Sequence, residues 1–265
     1  MKKKFNILVV GIVAVIILRS YMDEGNQGNN ENQSVDNIAV DNDPSFYAMR
    51  AVDNSWPAIS EGGDVLVDDL TNKNYYLVFD GSGSMSDSDC SNGQSKIDVA
   101  KGAVVEFIKK IPDSANIGLV IFDGRGNYER SLLANNGKGD AIQEVLRASS
   151  GGGTPLRSSI EYAYKSLSAQ AARQLGYGEY HLVVITDGEA SGGEEPRYVV
   201  QNILKNSPVV LHTIGFCIKG GHSLNQAGNT FYKSANNPDQ LAIGLDSVLA
   251  ETPDFKIDSF KGQEQ

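Results

Sequence analysis

A chain of 265 residues, 40% of them apolar, has enough material for one sizeable folded body with appendages. Its formal net charge of −10 leaves no basic surplus to neutralise phosphates, which argues against nucleic-acid binding. The acidic surplus says little about metals, because most carboxylates on any chain serve solubility.

The first local signal is at the N-terminus. Lys2, Lys3 and Lys4 precede an apolar run from Phe5 to Leu18, broken only by Asn6. A basic segment followed by a short apolar one is the pattern of an export signal. The run is shorter than the roughly 20 residues that span a bilayer comfortably, which favours a cleavable signal. Arg19 to Met22 offer no small-x-small cleavage site and no Cys follows, so retention as an N-terminal anchor stays open. The three lysines stay cytoplasmic in either case. Residues 1–22 are therefore expected to be a signal peptide or membrane anchor. The body would then be periplasmic or extracellular, or tethered to the cytoplasmic membrane.

Residues 23–45, rich in Asn, Asp, Gly and Gln, read as a flexible linker. Residues 46–73 form an extension of mixed character, in which Trp56 and the Val65–Leu66–Val67 run are candidates to pack against the body. From Asn74 the pattern becomes strands alternating with helices. Tyr75 to Phe79 is a continuous apolar run, as in a strand buried on both faces. Lys96 to Ile111 carries apolar residues at helical spacing and stops at Pro112. Strands are expected at Ile117–Phe122, weakly at Arg130–Leu133, and at His181–Thr186, Val209–Phe216 and Thr230–Lys233. Helices are expected at Asp140–Ala148, Leu156–Leu175 after Pro155, Pro196–Lys205 and Pro238–Ala250. The fold class is α/β: a doubly wound, mostly parallel sheet with helices on both faces. Its body spans residues 74–252, with a tail at 253–265. Functional residues in such sheets gather at the strands' carboxyl ends.

Three loops fall at that end. Asp80-Gly81-Ser82-Gly83-Ser84 follows the first buried strand, with an Asp and two hydroxyls at alternating positions and glycines that let the backbone turn around a small centre. Gly151-Gly152-Gly153-Thr154-Pro155 places one hydroxyl before a helix, and Asp187-Gly188 follows the strand ending in Thr186. Each could be an ordinary turn or cap. Hard oxygen donors suit Mg2+, Mn2+ or Ca2+ and offer nothing to zinc or copper.

The Asp-x-Ser-x-Ser loop, the Thr of Gly-Gly-Thr-Pro-Leu and the Asp of Ile-Thr-Asp-Gly resemble the metal-ion-dependent adhesion site of von Willebrand factor type A domains, in order and in separation. The resemblance runs from Asn74 to Ala250 and is nearest to bacterial exported members. It implies that Ser82 and Ser84 bind the ion directly and Thr154 directly or through water. Asp80 and Asp187 would act mainly through water or as outer acceptors. An ion with few directly bound carboxylates stays electrophilic, so a Glu or Asp of a partner protein can fill its open position. The implied function is a metal-dependent protein-binding module, not an enzyme.

Asp123, at the end of the second strand, is a candidate to support the site from behind. Asp87 and Asp89 read first as a solvated acidic loop, with shaping the rim or binding a second cation as the alternatives. His181 and His212 read as strand residues, not ligands. Cys90 and Cys217 both fall at the functional end and, in an exported protein, are a candidate disulfide. The alternative function is a Mg2+-dependent hydrolase or phosphotransferase with Asp80 as nucleophile, as in haloacid-dehalogenase-like enzymes. That chemistry needs a second Asp two residues on, where this chain has Ser82. A Lys-bearing Gly-rich phosphate loop is also missing.

Overall fold

The apolar run after Asn72 becomes the central strand, β1 (Lys73–Asp80), buried from Asn74 to Asp80. The computed structural model describes residues 56–57, 65–218, 221–226 and 230–250. The expected signal or anchor, the linker and the tail lie outside these residues. The other strands are β2 (Asn116–Asp123), β3 (Gly126–Ala134), β4 (Glu179–Thr186), β5 (Val210–Phe216) and β6 (Phe231–Ala235). They form one sheet in the order β3-β2-β1-β4-β5-β6. All neighbours are parallel except β2 and β3. Only Gly124 and Arg125 separate β2 from β3, and so short a connection can make a hairpin but not a crossover. The weak strand expected around Arg130 is thus the longer antiparallel edge of the sheet.

Among the described residues, five α-helices cover both faces. Helices α1 (Lys96–Lys110), α2 (Gly137–Arg147) and α5 (Pro238–Ala250) pack on Tyr75, Leu77, Phe79, Leu119 and Ile185. Helices α3 (Leu156–Arg173) and α4 (Arg197–Asn206) pack on Tyr76, Val78, Phe122, Leu182 and Val184. The odd and even residues of β1 therefore feed separate cores, which is why its apolar run is unbroken. Helix α1 begins at Ser95, whose hydroxyl accepts from the Asp98 N–H at 3.3 Å, and ends at Ile111 before Pro112. Upstream, Trp56 packs edge-on to Tyr180 and donates to Ser168 Oγ. The Val65–Val67 run meets the body through its backbone, the Val67 N–H donating to the Arg173 carbonyl and the Val65 carbonyl accepting from Arg173 Nε. Val65 and Leu66 are exposed, contrary to the packing expected of them.

Toward the strands' amino ends, Tyr75, His181, His212 and Phe231 stack across β1, β4, β5 and β6. His181 Nδ1 and His212 Nε2 stand 3.3 Å apart, close enough to share one proton. Burial, then His181 and then Lys233 hold His212 down at about 3. Burial also lowers His181, against the pull of Glu179. An unfolded histidine titrates near 6.5, so the unfolded chain takes up protons that this pair refuses. The pair's contribution is complete above the unfolded value and is lost as pH falls toward the folded one. The measurement is urea unfolding at about pH 7 and pH 5 for wild type and His212→Phe, which keeps a ring in the stack. The wild type should lose more stability over that interval; equal losses would show that the pair does not refuse protons.

Candidate metal centre

The three loops meet at the carboxyl ends of β1, β2 and β4. Asp80 closes β1 and is fully buried. Its Oδ1 accepts from the Ser82 N–H at 2.7 Å and its Oδ2 from Thr186 Oγ1 at 2.6 Å. Burial pushes the Asp80 carboxyl up to about 6 against these hydrogen bonds, and the charge of Asp187 pushes the same way. The turn after Asp80 must pass hard against β2. A Cβ on Gly81 would lie 2.7 Å from the Asp123 Cβ, and the Gly81 N–H donates to the Phe122 carbonyl. The next residues form a short 3-10 turn, Gly83–Ser86, with Met85 buried beneath it. Ser82 Oγ and Ser84 Oγ come within 3.1 Å of each other, so both hydroxyls face one side.

Asp187 arrives from β4. Its Oδ1 accepts from Ser84 Oγ at 2.7 Å, and its Oδ2 from Lys96 Nζ at 3.1 Å. Lys96 also pairs with Asp89 Oδ1 at 3.0 Å. Burial works against the lysine's charge, but the bonds and charges of Asp89 and Asp187 outweigh it and raise its pKa. The Thr154 loop is tied in by backbone. Gly151 N–H donates to Gly81 O at 2.8 Å and Gly83 N–H to Gly152 O at 3.1 Å. Gly152 adopts a positive φ of +80° that favours glycine. Thr154 N–H donates to Ser191 Oγ at 2.8 Å, and the Ser191 N–H returns to the Thr154 carbonyl, locking this loop to the one after Asp187.

The structure thus brings Asp80, Ser82, Ser84 and Asp187 into one hydrogen-bonded chain and sets Thr154 in the loop joined to it. Asp80, Ser82, Thr154 and Asp187 are buried while Ser84 is exposed, so the group opens to solvent on one side. Asp123 stands behind it. Its carboxylate accepts from Arg125 and Arg130 and from the Ser149 N–H, so its role is to brace Gly81 and the glycine loop. Asp87 is exposed at the rim and its carbonyl accepts from the Lys96 N–H. Cys90 and Cys217 form a disulfide with Cα atoms 6.0 Å apart, fastening the segment after the serine loop to the end of β5.

Four contributors were not singled out by sequence reasoning: Thr186, Lys96, Ser191 and His222. Lys96 had a signal, because it precedes Ala100 and Val104 at four-residue steps and so lies on the buried stripe of α1. Thr186 had one in its place before Asp187. His222 links the far loop to the site: its Nδ1 accepts from the Leu224 N–H, so Nε2 carries the proton donated to the Gly188 carbonyl at 2.8 Å.

The donor set is chemically apt for a hard cation. Its hydroxyls and two carboxylates are hard oxygens of the kind that suit Mg2+, and among the described residues no three His, Cys, Asp or Glu cluster. Two cavities, of about 400 and 490 Å3, lie elsewhere, against Asn116 and Arg173 and against Asn136 and Arg147.

A family model, the von Willebrand factor type A domain, matches residues 74–256. The chain belongs to this family. Such domains serve protein interaction and adhesion and are generally not enzymes. The chain is 29% identical over 195 residues to the uncharacterized protein YwmD of Bacillus subtilis, covering 63% of this chain and 81% of YwmD. To YwmC of the same organism it is 26% identical over 164 residues, covering 56% and 68%. Among solved structures, a von Willebrand factor type A protein from Catenulispora acidiphila gives a TM-score of 0.55 at 18% identity, covering 68% of this chain and 42% of that one. The pilus adhesin SpaC from Lactobacillus rhamnosus GG gives 0.52 at 15% identity, covering 71% and 31%. These two likenesses are of fold, and this chain spans less than half of either structure's length. Among the described residues no helix of this domain is long and apolar enough to cross a membrane.

The disulfide closes a loop 127 residues long. Reducing it, or changing both cysteines to serine, should lower unfolding stability by about 2–5 kcal/mol. Urea denaturation with and without reductant measures this, and an unchanged midpoint would show that the bridge is dispensable.

Proposed function

We propose that this domain is a metal-dependent protein-binding module that works outside the cytoplasm. Ser82 and Ser84 hold a divalent cation directly, Thr154 directly or through water, and Asp80 and Asp187 mainly through water. Mg2+ is the first choice, with Mn2+ and Ca2+ as the other hard cations that suit the donors. The ion's chemistry is that of a Lewis acid with a position left for a carboxylate from an Asp or Glu of a partner protein. The observation that carries this reading is the chain from Ser82 Oγ through Ser84 Oγ to Asp187, open to solvent at Ser84.

Export is supported by the disulfide, which persists in oxidising compartments. The basic and apolar start of the chain would act as signal or as anchor in the cytoplasmic membrane. Hydrolysis through Asp80 is the weaker reading. A nucleophilic carboxylate must offer a free oxygen to its substrate, and both Asp80 oxygens accept hydrogen bonds inside the protein.

Binding of a cation to the folded state alone raises stability, by about 2.7 kcal/mol at a hundredfold excess over Kd. Thermal unfolding should therefore shift upward with Mg2+ or Mn2+, and EDTA should reverse the shift. Ser82→Ala with Ser84→Ala should remove it while leaving circular dichroism unchanged. A wild-type domain whose melting is indifferent to both ions would overturn the metal reading. Pull-down from membranes should recover a partner that EDTA releases; capture insensitive to EDTA would exclude the carboxylate bridge.

A further inference from the structure

Lys96 has no part in the cation reading, yet the fold buries it at the centre of the site. Its side chain is 6% exposed and that of Asp187 fully buried. An ammonium so placed is strongly disfavoured unless its charge is matched. The match comes from two sides, Asp187 Oδ2 at 3.1 Å and Asp89 Oδ1 at 3.0 Å. Position is enforced as well as charge. The Lys96 N–H donates to the Asp87 carbonyl at 2.8 Å, and the disulfide at Cys90 fastens the same segment to the end of β5.

The consequence is a division of labour between the two oxygens of Asp187. Oδ1 faces the serines and accepts from Ser84, while Oδ2 faces away and is held by the ammonium. A carboxylate gripped in this way cannot swing both oxygens toward an ion at Ser82 and Ser84. Its charge is also partly offset before any ion arrives, by an ammonium that it shares with the half-exposed Asp89. Of the two buried carboxylates at the site, Asp80 alone is left without a basic partner, set against an ion of charge two.

We propose that Lys96 is a built-in counter-cation that withholds Asp187 from direct coordination, so that a divalent ion at the serines is held less tightly by the domain and demands a carboxylate from outside. Lys96 is on this view a positioning and specificity residue: it weakens the domain's own grip on the ion and strengthens the grip on an acidic partner. The inference rests on the divalent-cation reading above and adds to it the residue that sets the balance.

The test uses Mn2+ as the metal and acetate as the carboxylate. Mn2+ affinity is read by calorimetry, and acetate binding by its effect on the water-proton relaxation of the Mn2+-loaded domain. Lys96→Met keeps the length of the side chain and removes the charge. It should bind Mn2+ about tenfold more tightly and respond to acetate about tenfold more weakly, because Asp187 is released to the ion. Its metal-free form should melt lower than wild type, with a larger Mn2+-induced rise. Lys96→Arg should stay within about threefold of wild type in both affinities. A purely structural lysine predicts a different result, in which Lys96→Met loses affinity for Mn2+ and acetate together; that result, or unchanged affinities, overturns the proposal. If Lys96→Met does not fold, Asp89→Asn takes its place. Asp89 is half exposed, and its removal leaves the ammonium to Asp187 alone, so Mn2+ should bind several-fold more weakly with the acetate response kept. Unchanged Mn2+ affinity in that variant overturns the proposal. A wild-type domain that binds no Mn2+ sinks the cation reading itself, a different failure from tight Mn2+ binding that Lys96 does not influence.

Discussion

A carboxylate buried at the end of a central strand needs donors on every side, and Asp80 recruits them from two strands at once. Its own turn supplies the Ser82 N–H, and β4 supplies the Thr186 hydroxyl. Those two bonds fix where the serine loop leaves β1 and how β4 ends beside it. Gly81 then has to pass against Asp123, and only a residue without a side chain fits there. The glycine loop before α3 hangs on Gly81 and Gly83 through backbone bonds. Each further part of the site, Asp187 and Thr154 included, takes its place from this arrangement. The group that organises the loops is also the one whose burial works against its own charge. A nearby cation would relieve that opposition.

The α/β order was legible because each buried strand is an uninterrupted apolar run and each helix has a stripe at helical spacing. Tyr75–Phe79 and His181–Thr186 sit in neighbouring strands with both faces covered, and no other element type would leave such runs. The hairpin partner of β2 was harder to place. Gly126 to Glu129 are largely exposed, so they carry little apolar signal, and only the two-residue connection betrays an antiparallel edge. Trp56 showed itself through size and apolarity, whereas Val65 and Leu66 look equally apolar in sequence and stay in solvent. Apolar composition alone cannot tell a docking residue from a surface one.

The site divides along the same line. Motif residues that donate oxygen were visible because their types and spacing are unusual for plain turns. The residues that set the electrostatics were not, since Lys96 resembles any lysine near a helix start until its neighbours are known. Asp123 could be suspected of supporting the site from its place at the end of β2, but its partners Arg125 and Arg130 could not be read from the sequence. Pairing of Cys90 with Cys217 could be suggested from compartment and strand ends, but only the three-dimensional path of the chain brings their Cα atoms to 6.0 Å.

The form of the site bears on what it can grip. Small-molecule sites are concave and bury most of their ligand. Here the oxygens lie at the tips of loops, with Ser84 and the glycines at positions 83, 152 and 153 all exposed. A free small acid would find little else to touch, and a single charged contact in water is worth little on its own. A carboxylate carried by a folded partner arrives with surrounding surface, which excludes water from the contact and strengthens it. The arrangement therefore favours a protein ligand over a metabolite, for the same reason that it suits poorly the closed, water-free chemistry of a hydrolase. Rigidity follows from the same need. The disulfide, the Lys96 pairings and the His222 bond to Gly188 hold three loops in register before any partner arrives, so less ordering remains to be done on contact.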